Sequence, residues 1–135
     1  MTAWVAVTVG ETLPSVVDEI TYRRVIMSPG ATWDYFPGHY DPEYARSQGQ
    51  PTIYANSLHV FGLLDRTAMQ WAGPASFLVR RAVRLHLSLY AEDTVTVTGT
   101  VVGKRTDDLV DLELIASNQH RTRLCTADLT LRLAT

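Results

Sequence analysis

Asn56-Ser57-Leu58-His59-Val60-Phe61-Gly62-Leu63-Leu64-Asp65-Arg66-Thr67-Ala68-Met69-Gln70-Trp71-Ala72, closed by Gly73-Pro74, is the stretch on which the fold turns. Asn56 or Ser57 suits a helix N-cap, and Gly73-Pro74 suits a stop. Leu58, Phe61, Leu64 and Ala68 run down one side, with Val60, Leu63, Thr67 and Trp71 beside them. His59, Asp65, Arg66 and Gln70 are the polar positions. An apolar arc this wide predicts a helix with much of its surface buried. Gly62 sits mid-helix, where glycine costs about 1 kcal/mol against alanine; a close approach of the helix to a sheet would offset that cost.

Downstream of Gly73 the period changes from helical to alternating. Phe77, Val79, Val83, Leu85 and Leu87 alternate with polar partners, Thr94-Val95-Thr96-Val97-Thr98 alternates strictly, and Val110, Leu112 and Leu114 alternate with Asp111 and Glu113. Cys125, Ala127, Leu129, Leu131 and Leu133 repeat the pattern. Thr106-Asp107-Asp108 and Asn118-Gln119-His120 are the expected hairpin turns. Four antiparallel strands are predicted here.

Upstream, Ile20 to Met27 is rich in β-branched and aromatic residues and is stopped by Ser28-Pro29-Gly30, which predicts a strand and a turn. A weaker strand is expected over Trp4 to Val9. Residues 29–55 mix Pro, Gly, aromatics and charges without a lasting period. Within them Asp41-Pro42-Glu43 predicts a short capped helix to about Ser47, ended by Gly49. The predicted order is strand, irregular segment, long helix, four strands. It reads as an α+β chain in which a curved antiparallel sheet wraps one long central helix, the hot-dog architecture. A helix on one face of a flatter sheet is the alternative.

The 135 residues predict one domain over 1–135. A net charge of −2 leaves no basic excess for a nucleic-acid backbone. No apolar run approaches the roughly 18 residues that span a bilayer, and the N-terminus lacks the form of a signal peptide. A single cysteine, Cys125, excludes an internal disulfide and fits a reducing, cytoplasmic setting.

Chemistry concentrates in Trp33-Asp34-Tyr35-Phe36-Pro37-Gly38-His39-Tyr40-Asp41-Pro42-Glu43-Tyr44-Ala45. Asp34 and His39, five residues apart across a Pro-Gly turn, are the candidate catalytic pair: water needs a base, and imidazole titrates near neutrality. Asp41 reads as a helix cap, and Tyr35, Phe36 and Tyr40 either line an apolar pocket or pack the loop. Asn56 is open between cap and substrate contact. The amides near Asn56, Ser57 and Leu58 are the candidate oxyanion site, because a helix start presents free N–H groups and a positive dipole end. Arg80, Arg81 and Arg84 are open between phosphate contacts and a solvated strand face. His59, His86 and His120 read as structural or surface residues. No metal site is expected, since no third or fourth ligand falls at a recognisable spacing.

The segment resembles the hydratase motif of the MaoC-like, (R)-specific enoyl-CoA hydratases: Asp, any, Asn, Pro, any, His, any, Asp or Glu, and Ala four residues later. Asp34, Pro37, His39, Asp41 and Ala45 are in register, with Phe36 in place of Asn. The similarity extends over roughly residues 20 to 133. Ala55-Asn56-Ser57-Leu58 stands where the family often has Ala-His-Gly-Met, so Ser57 replaces the usual Gly. Asn56, Trp71-Ala72-Gly73-Pro74 and Tyr90-Ala91-Glu92-Asp93-Thr94-Val95 are most similar to the small subunit of heteromeric steroid side-chain hydratases of actinobacteria.

The resemblance implies reversible syn addition of water to a trans-2-enoyl-CoA thioester. It implies no cofactor beyond the coenzyme A of the substrate, and a second MaoC-like subunit in a heterodimer or heterotetramer, or otherwise a homodimer. Two alternatives stay open. One is a hot-dog acyl-CoA thioesterase, for which Asp65 is the only acidic candidate on the helix. The other is a non-catalytic scaffold or acyl-binding subunit.

Overall fold

The computed structural model describes residues 1–134. A five-stranded antiparallel sheet has the order β1-β3-β4-β5-β2, formed by β1 (Val16–Glu19), β2 (Phe77–Leu85), β3 (Thr94–Arg105), β4 (Leu109–Ser117) and β5 (Arg123–Arg132). The helices are α1 (Tyr22–Thr32), α2 (Pro42–Ser47) and α3 (Ser57–Ala72). This is the hot-dog arrangement, with α3 against the inner face of the sheet.

The alternation read in the last three strands sets that inner face. Val95, Val97 and Val101 of β3, Val110, Leu112, Leu114 and Ala116 of β4, and Cys125, Ala127, Leu129 and Leu131 of β5 are all buried. They meet Leu63, Leu64, Thr67, Ala68 and Ala72 of α3 across the core. Each fully buried leucine or valine contributes about 1.5–3 kcal/mol. Residues 10–13 extend the β1 edge: Leu13 N–H donates to the Gly99 carbonyl at 2.9 Å, and Val101 N–H to the Glu11 carbonyl at 2.9 Å.

Four expectations are corrected. Ile20 to Met27 is not a strand; the first strand is Val16–Glu19 and the chain then enters α1. Thr21 caps that helix, its side chain accepting from Arg24 N–H. Ile20 and Val25, both fully buried, occupy the two positions of a hydrophobic staple. β-Branched content favours strand only weakly, and the cap with its staple outweighs it. Trp4 to Val9 holds a single 3-10 turn, Trp4–Ala6, rather than a strand; the Trp4 indole N–H reaches the Leu109 carbonyl at 3.2 Å instead of the chain joining the ladder.

In β2 a bulge between Leu78 and Arg80 breaks the alternation. It leaves Leu78 partly buried while Phe77 is 66% exposed and Val79 45% exposed. An extra residue in one strand reverses the facing of everything beyond it. Finally, Gly62 is exposed, and a Cβ built there meets nothing within 4 Å. No neighbour among the described residues approaches it. The short helix capped by Asp41, the cap at Asn56 and the end of α3 at Gly73 are as expected.

Candidate active site

α1 ends at Trp33, which adopts the left-handed conformation at φ 58° and turns the chain so that Asp34 faces back toward the N-terminus of α3. A 3-10 turn over Pro37–His39 then delivers His39. The imidazole is 8% exposed and is held from two sides. Its Nδ1 lies 2.7 Å from the Tyr54 carbonyl oxygen. A carbonyl only accepts, so Nδ1 carries the hydrogen. The other ring nitrogen, Nε2, faces Asp34 Oδ2 at 3.4 Å.

The clamp is reciprocal, because Tyr54 N–H donates to the Gly38 carbonyl at 3.2 Å. Tyr54 is itself fixed by ladder bonds on both sides, Ala55 N–H to the Leu89 carbonyl and Ala91 N–H to the Ile53 carbonyl. Gly38 is required by this packing. A Cβ there would lie 2.6 Å from Phe36 Cε1 and 2.8 Å from Tyr54 Oη. Burial pushes the Tyr54 phenol up from its ordinary value, which keeps that hydroxyl protonated.

Asp34 is held through both oxygens. Oδ1 accepts from Phe36 N–H at 3.4 Å, and Oδ2 accepts from Asn56 Nδ2 at 3.2 Å while facing His39. Phe36, in the place of the motif's Asn, packs its ring edge-to-face on His39 at 5.4 Å and on Tyr44 at 5.7 Å.

His39 forms one wall of a cleft of about 260 Å³ that also takes in Tyr54, Ala55, Ser57 and Val60 and, from the end of β2 and the segment beyond it, Leu85 to Leu89. A narrow apolar recess continues it inward, between Val60, Leu63, Val95, Ala116 and Leu124. The cleft therefore has a polar mouth at Ser57, His86 and Ser88 and an apolar floor. The start of α3 borders it through Ser57: Asn56 Oδ1 takes the His59 N–H at 2.9 Å, and Ser57 and Leu58 are the helix's first two residues, whose N–H groups have no intrahelical acceptor.

The other residues singled out in the sequence lie elsewhere. Tyr35, Phe36, Tyr40 and Leu58 are exposed and outside the cleft wall. Asn56 is buried, and its bonds all go to the protein. Arg81 pairs with Asp65 and lies over the Phe61 ring, whereas Arg80 and Arg84 share the outer face of the sheet with Glu113 and Asp128. Asp65 is thus engaged by a cation and is not part of the cleft wall. His59 is half-buried beside Arg24 and Asp18, and His120 is on the last hairpin turn.

Sequence reading missed the Tyr54 carbonyl, Ser28 and Thr32. A main-chain acceptor leaves no signal in residue types. Ser28 and Thr32 lie four apart and so share a helix face, a signal present only once that segment is read as a helix.

One long helix under an antiparallel sheet, with a carboxylate–imidazole pair beside the helix N-terminus and the imidazole on a cleft wall, defines a hot-dog protein. The chain belongs to the MaoC-like family: residues 7–121 match the family described as MaoC like domain. It is 32% identical over 110 residues to the 3-oxo-4,17-pregnadiene-20-carboxyl-CoA hydratase beta subunit of Mycobacterium tuberculosis, covering 82% of this chain and 84% of that protein. It superimposes on a chain of the ChsH1-ChsH2 complex from Mycobacterium tuberculosis with a TM-score of 0.88 at 30% identity, over 94% of this chain and 98% of that one. The (R)-hydratase PhaJ1 from Pseudomonas aeruginosa shares the fold, with a TM-score of 0.91 at 17% identity over 97% of this chain and 84% of that one.

Proposed function

We propose that this chain hydrates a trans-2-enoyl-CoA thioester, reversibly and with syn stereochemistry, as one subunit of a heteromeric hydratase for bulky, steroid-derived acyl groups. The observation that carries the reading is the convergence of Asp34 Oδ2 and His39 Nε2 at 3.4 Å, with His39 on the wall of the cleft. A water held between those two atoms loses a proton to the pair as its oxygen bonds to C3. The electron pair of the double bond moves toward the thioester carbonyl, and a proton from the same pair then reaches C2 on the same face.

The negative charge that builds on the thioester oxygen needs donors. Ser57 and Leu58 N–H at the start of α3 fit that role, each preorganised donor being worth about 3 kcal/mol. The reaction is a redox-neutral addition and calls for no cofactor beyond the coenzyme A carried by the substrate. Tyr35, Phe36 and Tyr40, exposed around the Asp34 loop, are proposed to meet the acyl group once a second subunit completes the cavity.

The steroid-like substrate is supported by the name of the relative at 32% identity, and the second MaoC-like subunit by the two-component complex that contains the similar chain. No helix among the described residues is long and apolar enough to cross a membrane. A lone, buried Cys125 whose thiol burial pushes up fits a cytoplasmic setting.

The test follows loss of enoyl absorbance with short-chain and steroid-derived enoyl-CoA, with and without a co-expressed MaoC-like partner. Asp34→Asn and His39→Ala should each lower kcat by at least about 10²-fold. Wild-type rates in both variants would leave the chain as a scaffold. Release of free thiol without loss of the double bond would make it a thioesterase.

A further inference from the structure

We infer that Asn56 is a positioning residue for Asp34, and that it does this with the same side chain that starts helix α3. The inference rests on the hydration reading for its kinetic consequences, but its structural basis is independent. Asn56 is 2% exposed, and its amide makes every bond its chemistry allows. Oδ1 accepts from His59 N–H at 2.9 Å and from Ser28 Oγ at 3.2 Å. Nδ2 donates to Thr32 Oγ1 at 2.9 Å and to Asp34 Oδ2 at 3.2 Å.

These four bonds fix which end of the amide faces which neighbour. The His59 N–H can only donate, so the oxygen must face the helix. The two N–H bonds must then point to Thr32 and to the carboxylate. Asn56 thereby joins the end of α1, the start of α3 and the oxygen of Asp34 that also faces His39.

With both donors and both lone pairs used, no capacity is left for a substrate. A group in this place controls where Asp34 Oδ2 sits relative to His39 Nε2 without touching the reacting atoms. A capping residue needs only an oxygen, and Ser, Asp and Asn start helices about equally well. The cap therefore does not require the amide nitrogen, whereas the hold on Asp34 does.

That difference supplies the test. Asn56→Asp has the same shape and keeps the cap, but it replaces the donor facing Asp34 with a second carboxylate oxygen. Asn56→Ser keeps the cap and leaves Asp34 without this donor. Both should fold, with Tm within a few degrees of wild type. In the form of the protein that carries the activity, both should lower kcat by about tenfold or more while KM stays within about twofold. Asn56→Asp should be the worse of the two, because it repels the carboxylate as well as releasing it.

Unchanged kcat in Asn56→Asp overturns the inference, as does a loss confined to KM. A second readout needs no turnover. The Asn56 side-chain N–H resonances should move, and one should lose protection from exchange, when Asp34→Ala removes the acceptor. If wild type proves unable to hydrate any enoyl-CoA, the hydration reading fails while the resonance shift still stands. If the resonances stay in place, the hold on Asp34 is refuted whatever the reaction.

Discussion

At the scale of single residues, the cost of placing polar groups between α1 and α3 is visible at His59. Burial lowers its pKa from the ordinary 6.5, with the Arg24 guanidinium acting in the same direction and Asp18 opposing. Its Nδ1 is buried without a hydrogen-bond partner among the described residues. Asp18 accepts from Arg24 through both oxygens and pairs with Arg66, and chiefly the Arg24 hydrogen bond holds its carboxyl below the usual range. The two groups act in different pH windows. An unfolded His59 takes a proton at 6.5, and the folded one resists it until lower pH, so stability is present above 6.5 and falls as pH drops through the folded value. Asp18 withdraws its contribution only below its ordinary 3.8. Urea midpoints measured at about pH 7.5 and about pH 5.5 should therefore differ in wild type, and His59→Gln should reduce the difference. An equal slope in the variant would show that His59 is not the group responsible. None of this was legible in the sequence, where His59 was one polar position on a helix. Asp34 and His39 stand out in the sequence through the resemblance of Asp34, Pro37, His39, Asp41 and Ala45 to the hydratase motif; their five-residue spacing alone would not single them out. The Tyr54 carbonyl that fixes the imidazole does not stand out, since any residue type supplies a carbonyl.

At the scale of elements, the helix that carries the site contains a residue its own chain does not explain. Gly62 lies in α3 with helical neighbours, it is exposed, and a Cβ there would meet nothing within 4 Å. Alanine at such a position gains about 0.5–1 kcal/mol through lower backbone entropy in the unfolded state. Gly62→Ala should thus raise the Tm of the chain alone. If a partner helix packs closely there, the same methyl should weaken the assembled enzyme. Melting the isolated chain and the complex side by side gives both signs. A stabilised chain and an equally stabilised complex would mean that nothing approaches Gly62 in the assembly. The helix itself was readable from its caps and its broad apolar arc. α1 was not, because Ile20, Thr21, Tyr22, Val25 and Ile26 carry strand-forming side chains, and the deciding features, a Thr21 cap and the Ile20–Val25 staple, are positional rather than compositional. That error has a consequence at the site: with Ile20 to Met27 read as strand, Ser28-Pro29-Gly30 as turn and the residues beyond as irregular, Ser28 and Thr32 have no reason to meet Asn56. The bulge at Val79 was hidden in the same way, since an extra residue in a strand leaves composition unchanged.

At the scale of the whole molecule, the sheet ends at β2, which has no partner strand on its outer side among the described residues. That edge carries Phe77, Val79 and Leu85, and Leu87 just beyond it, all exposed. Leu85 and Leu87 also belong to the cleft that contains His39. A long edge left open, with exposed apolar side chains at both ends flanking Arg80, Arg81 and Arg84, is a site for pairing with another chain. A second subunit added here would extend the sheet and roof the cleft in one step, which ties assembly to activity. Phe77 separates the two effects, because it is 66% exposed and lies at the end of β2 away from the cleft. Phe77→Glu should leave the fold of the single chain almost unchanged, as exposed substitutions usually alter stability by no more than about 0.5 kcal/mol. It should weaken association by about tenfold or more, since a charge at an apolar contact costs at least about 1.4 kcal/mol once desolvated. Sedimentation of the chain with its partner reads the association. The hydration rate should fall with dilution in the variant and return at high protein concentration. A loss of rate that no concentration restores would place the defect in the cleft, and undiminished association would move the interface away from β2.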